Sequence, residues 1–317
     1  MVSQEGVERH DAQEKGREAG FYELLSAAFD CRFAQKIRCQ VMEKVQIIVT
    51  GATGGMGSEA VRALAKQGRS VIMACRNLEK GEAVRKRILE AVPSADLTLM
   101  QVDLASLKSV VEFTETIKNQ KIRLNGLFNN AGAINRHFAL TRDGFEQTVA
   151  VNYVAPYLLT RRLLPAFTEN ANLVNMVSLT RFIAKLERDF FEKGEKDFRQ
   201  LGAYSDSKLA LLMFTIALSQ RVGFHVNMAD PGVVDTGILR MNRWFDPLAD
   251  VLFRPFCKSP EKGVMPALNA LNTNENLHYF SGNKSRKVPE KYLSNPNIEW
   301  LWETTEHILQ EKGFSCY

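Results

Sequence analysis

Cysteine is scarce in this chain: five in 317 residues, an odd number too scattered for a disulfide framework. No Cys-x-x-Cys pair occurs among Cys31, Cys39, Cys75, Cys257 and Cys316, and the five histidines are equally dispersed, which argues against a structural zinc or other metal site. No apolar run approaches the roughly 18 residues of a membrane helix, so no transmembrane anchor is expected. The N-terminus carries Glu5, Glu8 and Asp11 and lacks an apolar signal core, which makes a reducing cytoplasm the default location. Charge of one sign is also lacking. With 41 basic against 36 acidic side chains, the net charge of +5 does not describe a dedicated nucleic-acid binder. Repeats, low-complexity stretches and Pro/Gly/Ser linkers are absent after Met42. What remains is ordinary globular composition, 45% hydrophobic and 24% charged, in a chain long enough to bury a core unaided.

Residues 1–41 differ from the rest. Met1 to Gly20 are polar and charged without a strand pattern, and Phe21 to Cys39 can form a short amphipathic helix through Phe21, Leu24, Leu25, Ala28 and Phe29. This extension reads as an appendage, with an ordered helix packed on the domain as the alternative. A single domain is expected over 42–317. From Val45 onward, short apolar runs at 45–50, 70–75, 97–102, 123–129, 172–178 and 223–229 alternate with helical patterns at 57–67, 78–91, 106–119, 143–168 and 203–221. That alternation predicts an α/β fold, a doubly wound parallel sheet of the Rossmann type covered by helices on both faces. Such sheets bind ligands at the carboxyl ends of their strands.

Directly after the first run stands Thr50-Gly51-Ala52-Thr53-Gly54-Gly55-Met56-Gly57, opening a helix. Glycines in that place allow a tight turn and close approach to a pyrophosphate, and the helix N-terminus offers N–H groups to the phosphates. Alone the cluster is a weak signal, equally readable as a plain strand–helix turn. The second strand ends Ala74-Cys75-Arg76-Asn77, without the acid that would bond a ribose 2′-hydroxyl. Arg76 instead offers a planar fork to a 2′-phosphate, which points to NADP(H); its bland reading is a solvated helix-start residue.

Taken together these motifs resemble the short-chain dehydrogenase/reductase family over residues 45 to about 310. Thr50, Gly51, Gly55 and Gly57 fit that family's T-G-x-x-x-G-x-G pattern, and Thr53 and Met56 lie within the same loop. Asp103-Leu104 is similar to its adenine-side pair, Asn129-Asn130-Ala131-Gly132 to its N-N-A-G segment, and Pro231-Gly232-Val233-Val234-Asp235-Thr236 to its P-G-x-V-x-T segment. Asn152, Ser178, Tyr204 and Lys208 match its catalytic tetrad in order and context. The resemblance therefore implies that the cofactor is held by Thr50, Gly51, Thr53, Gly55, Met56, Gly57, Arg76, Asp103, Leu104, Asn130, Ala131, Gly132, Tyr204, Lys208, Pro231, Gly232, Val234 and Thr236. Within the family the chain is most similar to the retinol-dehydrogenase-like reductases. Ala-Cys-Arg-Asn followed by Lys80-Gly81, the long charged and Phe-rich stretch from Arg181 to Gln200, and Trp300-Leu301-Trp302-Glu303 near the end carry that likeness. The N-terminal membrane-anchoring helix of several animal members is not matched.

The resemblance implies hydride transfer between a nicotinamide and a carbonyl or alcohol. Tyr204 is the proton donor; Lys208, four residues on and on the same helix face, is expected, together with the oxidised nicotinamide, to lower the phenol pKa from its usual ~10 and to bond the nicotinamide ribose. Ser178 polarises the carbonyl, and Asn152 holds a water linking Lys208 to solvent. Read singly, each is as well explained as a solvated pair, a strand end or a helix amide. After Thr236, apolar Ile238, Leu239, Trp244, Phe245, Leu248, Val251, Leu252, Phe253 and Phe256 suggest a hydrophobic small-molecule substrate and a lid around 236–258. Arg240, Arg243, Arg254 and Lys258 flank them, and contact with a membrane surface stays open beside plain core packing. A catalytically idle NADP-sensing regulator on the same fold is the alternative function, and a homodimer stays open.

Overall fold

The computed structural model describes residues 45–234 and 258–316. The N-terminal extension 1–41, Thr236 and the expected lid, except for its last residue Lys258, lie outside the described residues.

Apolar runs short enough for strands and flanked by amphipathic helices build the first half. Strand β1 (Val45–Thr50) leads into α1 (Gly55–Lys66), β2 (Val71–Cys75), α2 (Leu78–Ala91), β3 (Leu97–Gln101), α3 (Leu107–Asn119) and β4 (Arg123–Asn129). In α3 the buried positions Val110, Phe113, Thr114 and Ile117 repeat at helical spacing and form one stripe toward the sheet. Side-chain caps start several of these helices: the Asn77 carboxamide oxygen accepts from the Lys80 amide at 2.8 Å, and the Ser106 hydroxyl accepts from the Ser109 amide at 3.3 Å.

A composite helix follows, α4, running through a short turn (Gln147–Val149), a π-helical stretch (Ala150–Val154) and a regular stretch (Ala155–Leu163). Then come β5 (Phe167–Met176), α5 (Gln200–Ser219), β6 (His225–Asp230), α6 (Pro260–Leu271), the hairpin β7 (His278–Ser281) and β8 (Lys284–Lys287), and α7 (Pro296–Glu311). The eight strands lie in the order β3-β2-β1-β4-β5-β6-β7-β8. All pairings through β7 are parallel, and β8 closes the edge antiparallel to β7. Between β1 and β4 the strand order reverses direction, which opens a crevice at the carboxyl ends of both strands. The core divides into two clusters, one on each face of the sheet.

The parallel sheet covered on both faces is the expected one, with three local differences. The helical pattern expected over 143–168 begins only at Gln147 and ends in a 3-10 turn at Leu164–Ala166, where Pro165 cannot continue an α-helix. Strand β5 starts earlier than expected and stops at Met176, leaving Ser178 on the turn beyond. The β7–β8 hairpin escaped the sequence pattern because β8 reads Lys-Ser-Arg-Lys, fully exposed, and carries no alternation to see. Among the described residues, α5 alone is long and apolar enough to cross a membrane by composition. It is a core helix instead: thirteen of its residues, from Ser205 to Ser219, are buried.

Candidate active site

Two groups of residues meet at the carboxyl edge of the sheet. The first surrounds the β1–α1 turn. Gly51 sits at a φ of +65°, a backbone region open mainly to glycine, and a Cβ there would stand 3.0 Å from the Ala131 Cα. At Gly57 a Cβ would lie 2.1 Å from the Gly51 carbonyl oxygen, so the turn closes only because both are glycine. The end of β4 is tied to this turn through Thr50. Its hydroxyl accepts from the Asn130 and Ala131 amides, each at 3.1 Å, while the Asn130 side chain donates to the Thr50 carbonyl at 2.9 Å. Thr50 and Asn130 are therefore braces that hold the turn. The Asn130 Oδ1 is buried and has no partner among the described residues.

Helix α1 begins at an exposed glycine, Gly54, with no side-chain cap, so its first-turn N–H groups are left open to an anion. At the end of β2, Arg76 is exposed, and the Gln101 side chain holds its carbonyl at 3.1 Å. Among the described residues no acid pairs with it. Asp103 turns its carboxylate onto the Ala105 amide at 3.0 Å, and Leu104 is buried beneath it. Thr53 and Met56 line the same turn, half-buried. A glycine-lined turn, an open helix start, an orphaned amide oxygen and a free guanidinium together fit a phosphorylated dinucleotide.

The second group surrounds α5. Tyr204 and Lys208 emerge from one face, the ammonium 5.9 Å from the centre of the phenol ring. The Lys208 Nζ donates to the Met176 carbonyl at 2.8 Å and is wholly buried, which lowers its pKa to about 8, with Asp230 pulling the other way. Ser178 lies close enough to act on the Tyr204 phenol. That phenol is pushed up, by burial first and then by the Asp230 charge, against the opposing pull of Ser178. In the chain alone burial outweighs the other influences on the phenol, and the Lys208 ammonium is engaged by a backbone carbonyl. Ser178, at the start of a 3-10 turn (Leu179–Ile183), also accepts from the Thr180 hydroxyl at 3.1 Å.

Asn152 sits in the π-helical stretch of α4, a local widening common at functional sites. Its amide is fully engaged, accepting from the Ala133 amide at 2.7 Å and donating to the Ala133 carbonyl at 2.9 Å and the Ser207 hydroxyl at 3.0 Å. Ser207 in turn donates to the Tyr204 carbonyl at 2.7 Å. No direct bond joins Asn152 to Lys208. Instead Gly132 lies between them, its Cβ position 3.5 Å from both side chains. The structure therefore shows Asn152 fixing the segment after β4 against α5.

Sequence reasoning missed a third cluster. Asp230, completely buried at the end of β6, accepts from the Arg181 guanidinium at 3.1 Å, from the Tyr279 hydroxyl, and from the Gly232 amide at 2.8 Å. Arg181 also donates to the Ser178 carbonyl at 2.8 Å. The cluster ties the serine turn to β6 and β7. Only Asp230, standing just before Pro231-Gly232, was open to notice in the sequence. Gly232 adopts a φ of +73°, and the Pro231 carbonyl accepts from the Lys258 ammonium at 3.2 Å. Val234 is buried, bridged to Lys258 and packed against α6 at Gly263.

A family profile described as short chain dehydrogenase fits residues 45–244. The chain is 34% identical over 280 residues to mouse retinol dehydrogenase 12, covering 85% of this chain and 87% of that one. Human polyprenol dehydrogenase is 34% identical over 271 residues, covering 80% and 82%. Among solved structures, a protein from Mycobacterium Paratuberculosis aligns with a TM-score of 0.69 at 24% identity, over 86% of this chain and 95% of that one. A short chain dehydrogenase from Shigella flexneri complexed with NADP aligns with a TM-score of 0.58 at 22% identity, over 76% and 99%. These structures share the fold. The sequence matches go further: this chain belongs to the short-chain dehydrogenase family, as an oxidoreductase similar to the retinol dehydrogenases.

Proposed function

We propose that the protein is an NADP(H)-dependent carbonyl reductase or alcohol dehydrogenase acting on a hydrophobic small molecule. The observation that carries this is the contact of Ser178 with Tyr204 beside the buried Lys208 ammonium. When bound, the cofactor supplies or accepts the hydride.

The chain's own residues handle the oxygen and the proton. Ser178 is placed to donate a hydrogen bond to the substrate oxygen, and Tyr204 to give that oxygen its proton. Because burial raises the phenol pKa, Tyr204 is protonated at neutral pH, the form that reduction requires. Lys208, with a pKa of about 8, is still largely charged there and stabilises the phenolate left behind. Asn152 positions Ala133 and, through Ser207, the backbone of Tyr204. The open start of α1, with Gly55, Met56 and Gly57, would take the pyrophosphate, and Arg76 a 2′-phosphate. The Shigella flexneri protein that shares the fold was solved with NADP.

Support for a hydrophobic substrate comes from the turn after Ser178. Phe182 is 73% exposed and Ile183 64%, large apolar side chains left open beside the reacting groups. Two relatives are named for hydrophobic alcohols, retinol and polyprenol. Buried, unpaired thiols at Cys75 and Cys316 fit a reducing compartment such as the cytoplasm. The test is a panel of ketones and aldehydes of rising hydrophobicity, followed by loss of NADPH absorbance. Turnover that improves with apolar size supports the reading. Tight NADPH binding without turnover of any member would favour the idle regulator.

A further inference from the structure

On the α5 face of the sheet lies a cavity of about 700 Å³. Neither Tyr204, Lys208 nor any residue of the phosphate turn lines it, although Leu179 and Phe182 of the turn after Ser178 border it, so it adjoins the substrate side without containing the reacting groups. Its walls are apolar, with Leu209, Leu212, Met213 and Ile216 from α5 and Met228 from β6. The volume falls within the range of small-molecule sites, about 300–1,000 Å³. Arg181 and Tyr279 also line it, their polar groups already committed to Asp230.

The outer end has a different character. Residues paired across an antiparallel hairpin share a face. Tyr279 is opposite Arg286, and Ser281 opposite Lys284, so both cations project on the cavity side of the edge. Lys287 also lines the mouth. All three are exposed, and among the described residues none forms an ion pair. An apolar chamber with an unneutralised basic rim is complementary to one class of molecule: an apolar chain ending in an anion.

We propose that this cavity is a second, non-catalytic binding site for a free long-chain carboxylate, the alkyl chain held along α5 and the carboxylate at Lys284 and Arg286. Arg181 joins it to the catalytic group, because the guanidinium that lines the cavity also donates to the Ser178 carbonyl. The proposal does not depend on the assigned reaction, and its test reads binding alone.

The test is calorimetric titration of the full chain with hexadecanoate, kept below its micelle concentration, and with hexadecanol as the neutral analogue. Hexadecanoate is expected to bind with one-to-one stoichiometry, at least tenfold tighter than the alcohol. Paired Lys284→Glu and Arg286→Glu substitutions, both on the exposed strand, should weaken it about tenfold without moving the melting temperature. Leu212→Trp, which places a bulky ring in the chamber along the path of the alkyl chain, should weaken binding of acid and alcohol alike. Three results would overturn the proposal: equal affinity for the two ligands, affinity unchanged by the charge reversals, or heat only when anionic vesicles replace the free acid. If Leu212→Trp does not fold, the charge-reversed pair decides the matter by itself.

Discussion

The two halves of the site are held by different physics. Around the β1–α1 turn the determinants are backbone shape and backbone hydrogen bonds: two glycines that admit no Cβ, and a threonine hydroxyl bridging β1 to β4. Around α5 they are charges taken out of water: Lys208 donating to a backbone carbonyl, and Asp230 held by Arg181, Tyr279 and a backbone amide. The first half tolerates almost no added atom. The second tolerates shape changes better, but any change in charge there is felt through a poorly screening interior. Substitutions in the two halves should therefore fail differently.

The largest effect is expected at Tyr204. Tyr204→Phe deletes one hydroxyl in the charge-governed half and leaves the glycine turn untouched. Turnover should fall at least about a thousandfold, in line with the upper range for a positioned acid. NADPH affinity, measured by fluorescence, should stay within about twofold. Retention of a tenth of the original rate would mean that the proton comes from another group. The converse substitution is Gly57→Ala. Its new methyl would lie 2.1 Å from the Gly51 carbonyl, so the turn must open. A tenfold or greater loss of NADPH affinity is expected, with a lowered melting temperature. Gly223→Ala, where nothing lies within 4 Å, is the control and should be near neutral. Equal behaviour of the two glycines would remove the distinction between the halves.

That distinction also explains what the sequence could tell. Backbone-governed features leave a local trace, because a glycine at a fixed offset after an apolar run is required wherever the chain turns that way. Strands β1 and β4, helix α2 and the Thr50–Gly57 turn could be placed from such traces alone. The tetrad was legible for a different reason: singly, Asn152, Ser178, Tyr204 and Lys208 read as ordinary structural residues, and only their order and context within the family resemblance marked them. The Arg181–Asp230–Tyr279 cluster left no trace. Its members come from three separate elements, and nothing local marks which arginine of a charged stretch meets which buried acid. The surroundings of Tyr204 were hidden on the same account: a nearby lysine is visible in the sequence, but the extent of burial and the carbonyl that captures its ammonium are not. The stretch 181–200 stood out in the sequence only as long, charged and Phe-rich; its packing did not show there, yet Phe190 packs edge-on against Tyr153, with ring centres 5.9 Å apart.

A smaller effect is expected at Arg76, on the outer rim of the backbone-governed half. The side chain is exposed, so its contribution to holding a 2′-phosphate is limited by solvent and salt. NADPH should bind about tenfold tighter than NADH, roughly 1.4 kcal/mol, and Arg76→Ala should remove most of that margin. The margin should also shrink as salt is raised. Equal affinities in the unmodified protein would sink the assignment.

The smallest effect, and the one most particular to the charge-governed half, is on stability at Lys208. A free lysine titrates near ~10.4, whereas burial lowers Lys208 to about 8. Below pH 8 the folded and unfolded chains both carry the charge, and the fold bears the whole penalty of burying it. Between about 8 and ~10.4 the folded chain has released this proton while the unfolded chain keeps it. The unfolded state then binds more protons, so this group's contribution to stability improves as pH rises. Lys208→Met abolishes the charge while keeping an unbranched side chain, at the cost of leaving the Met176 carbonyl without its donor. The melting temperature without nucleotide should therefore rise at pH 7 by roughly 1–2 °C, about what 1 kcal/mol gives a chain of this size. The difference from the unmodified protein should narrow steadily from pH 8 to pH 10, even though turnover is lost throughout. A difference that stays flat over that range would show that Lys208 is not carried into the core as a charge, and the contrast between the two halves would then rest on shape alone.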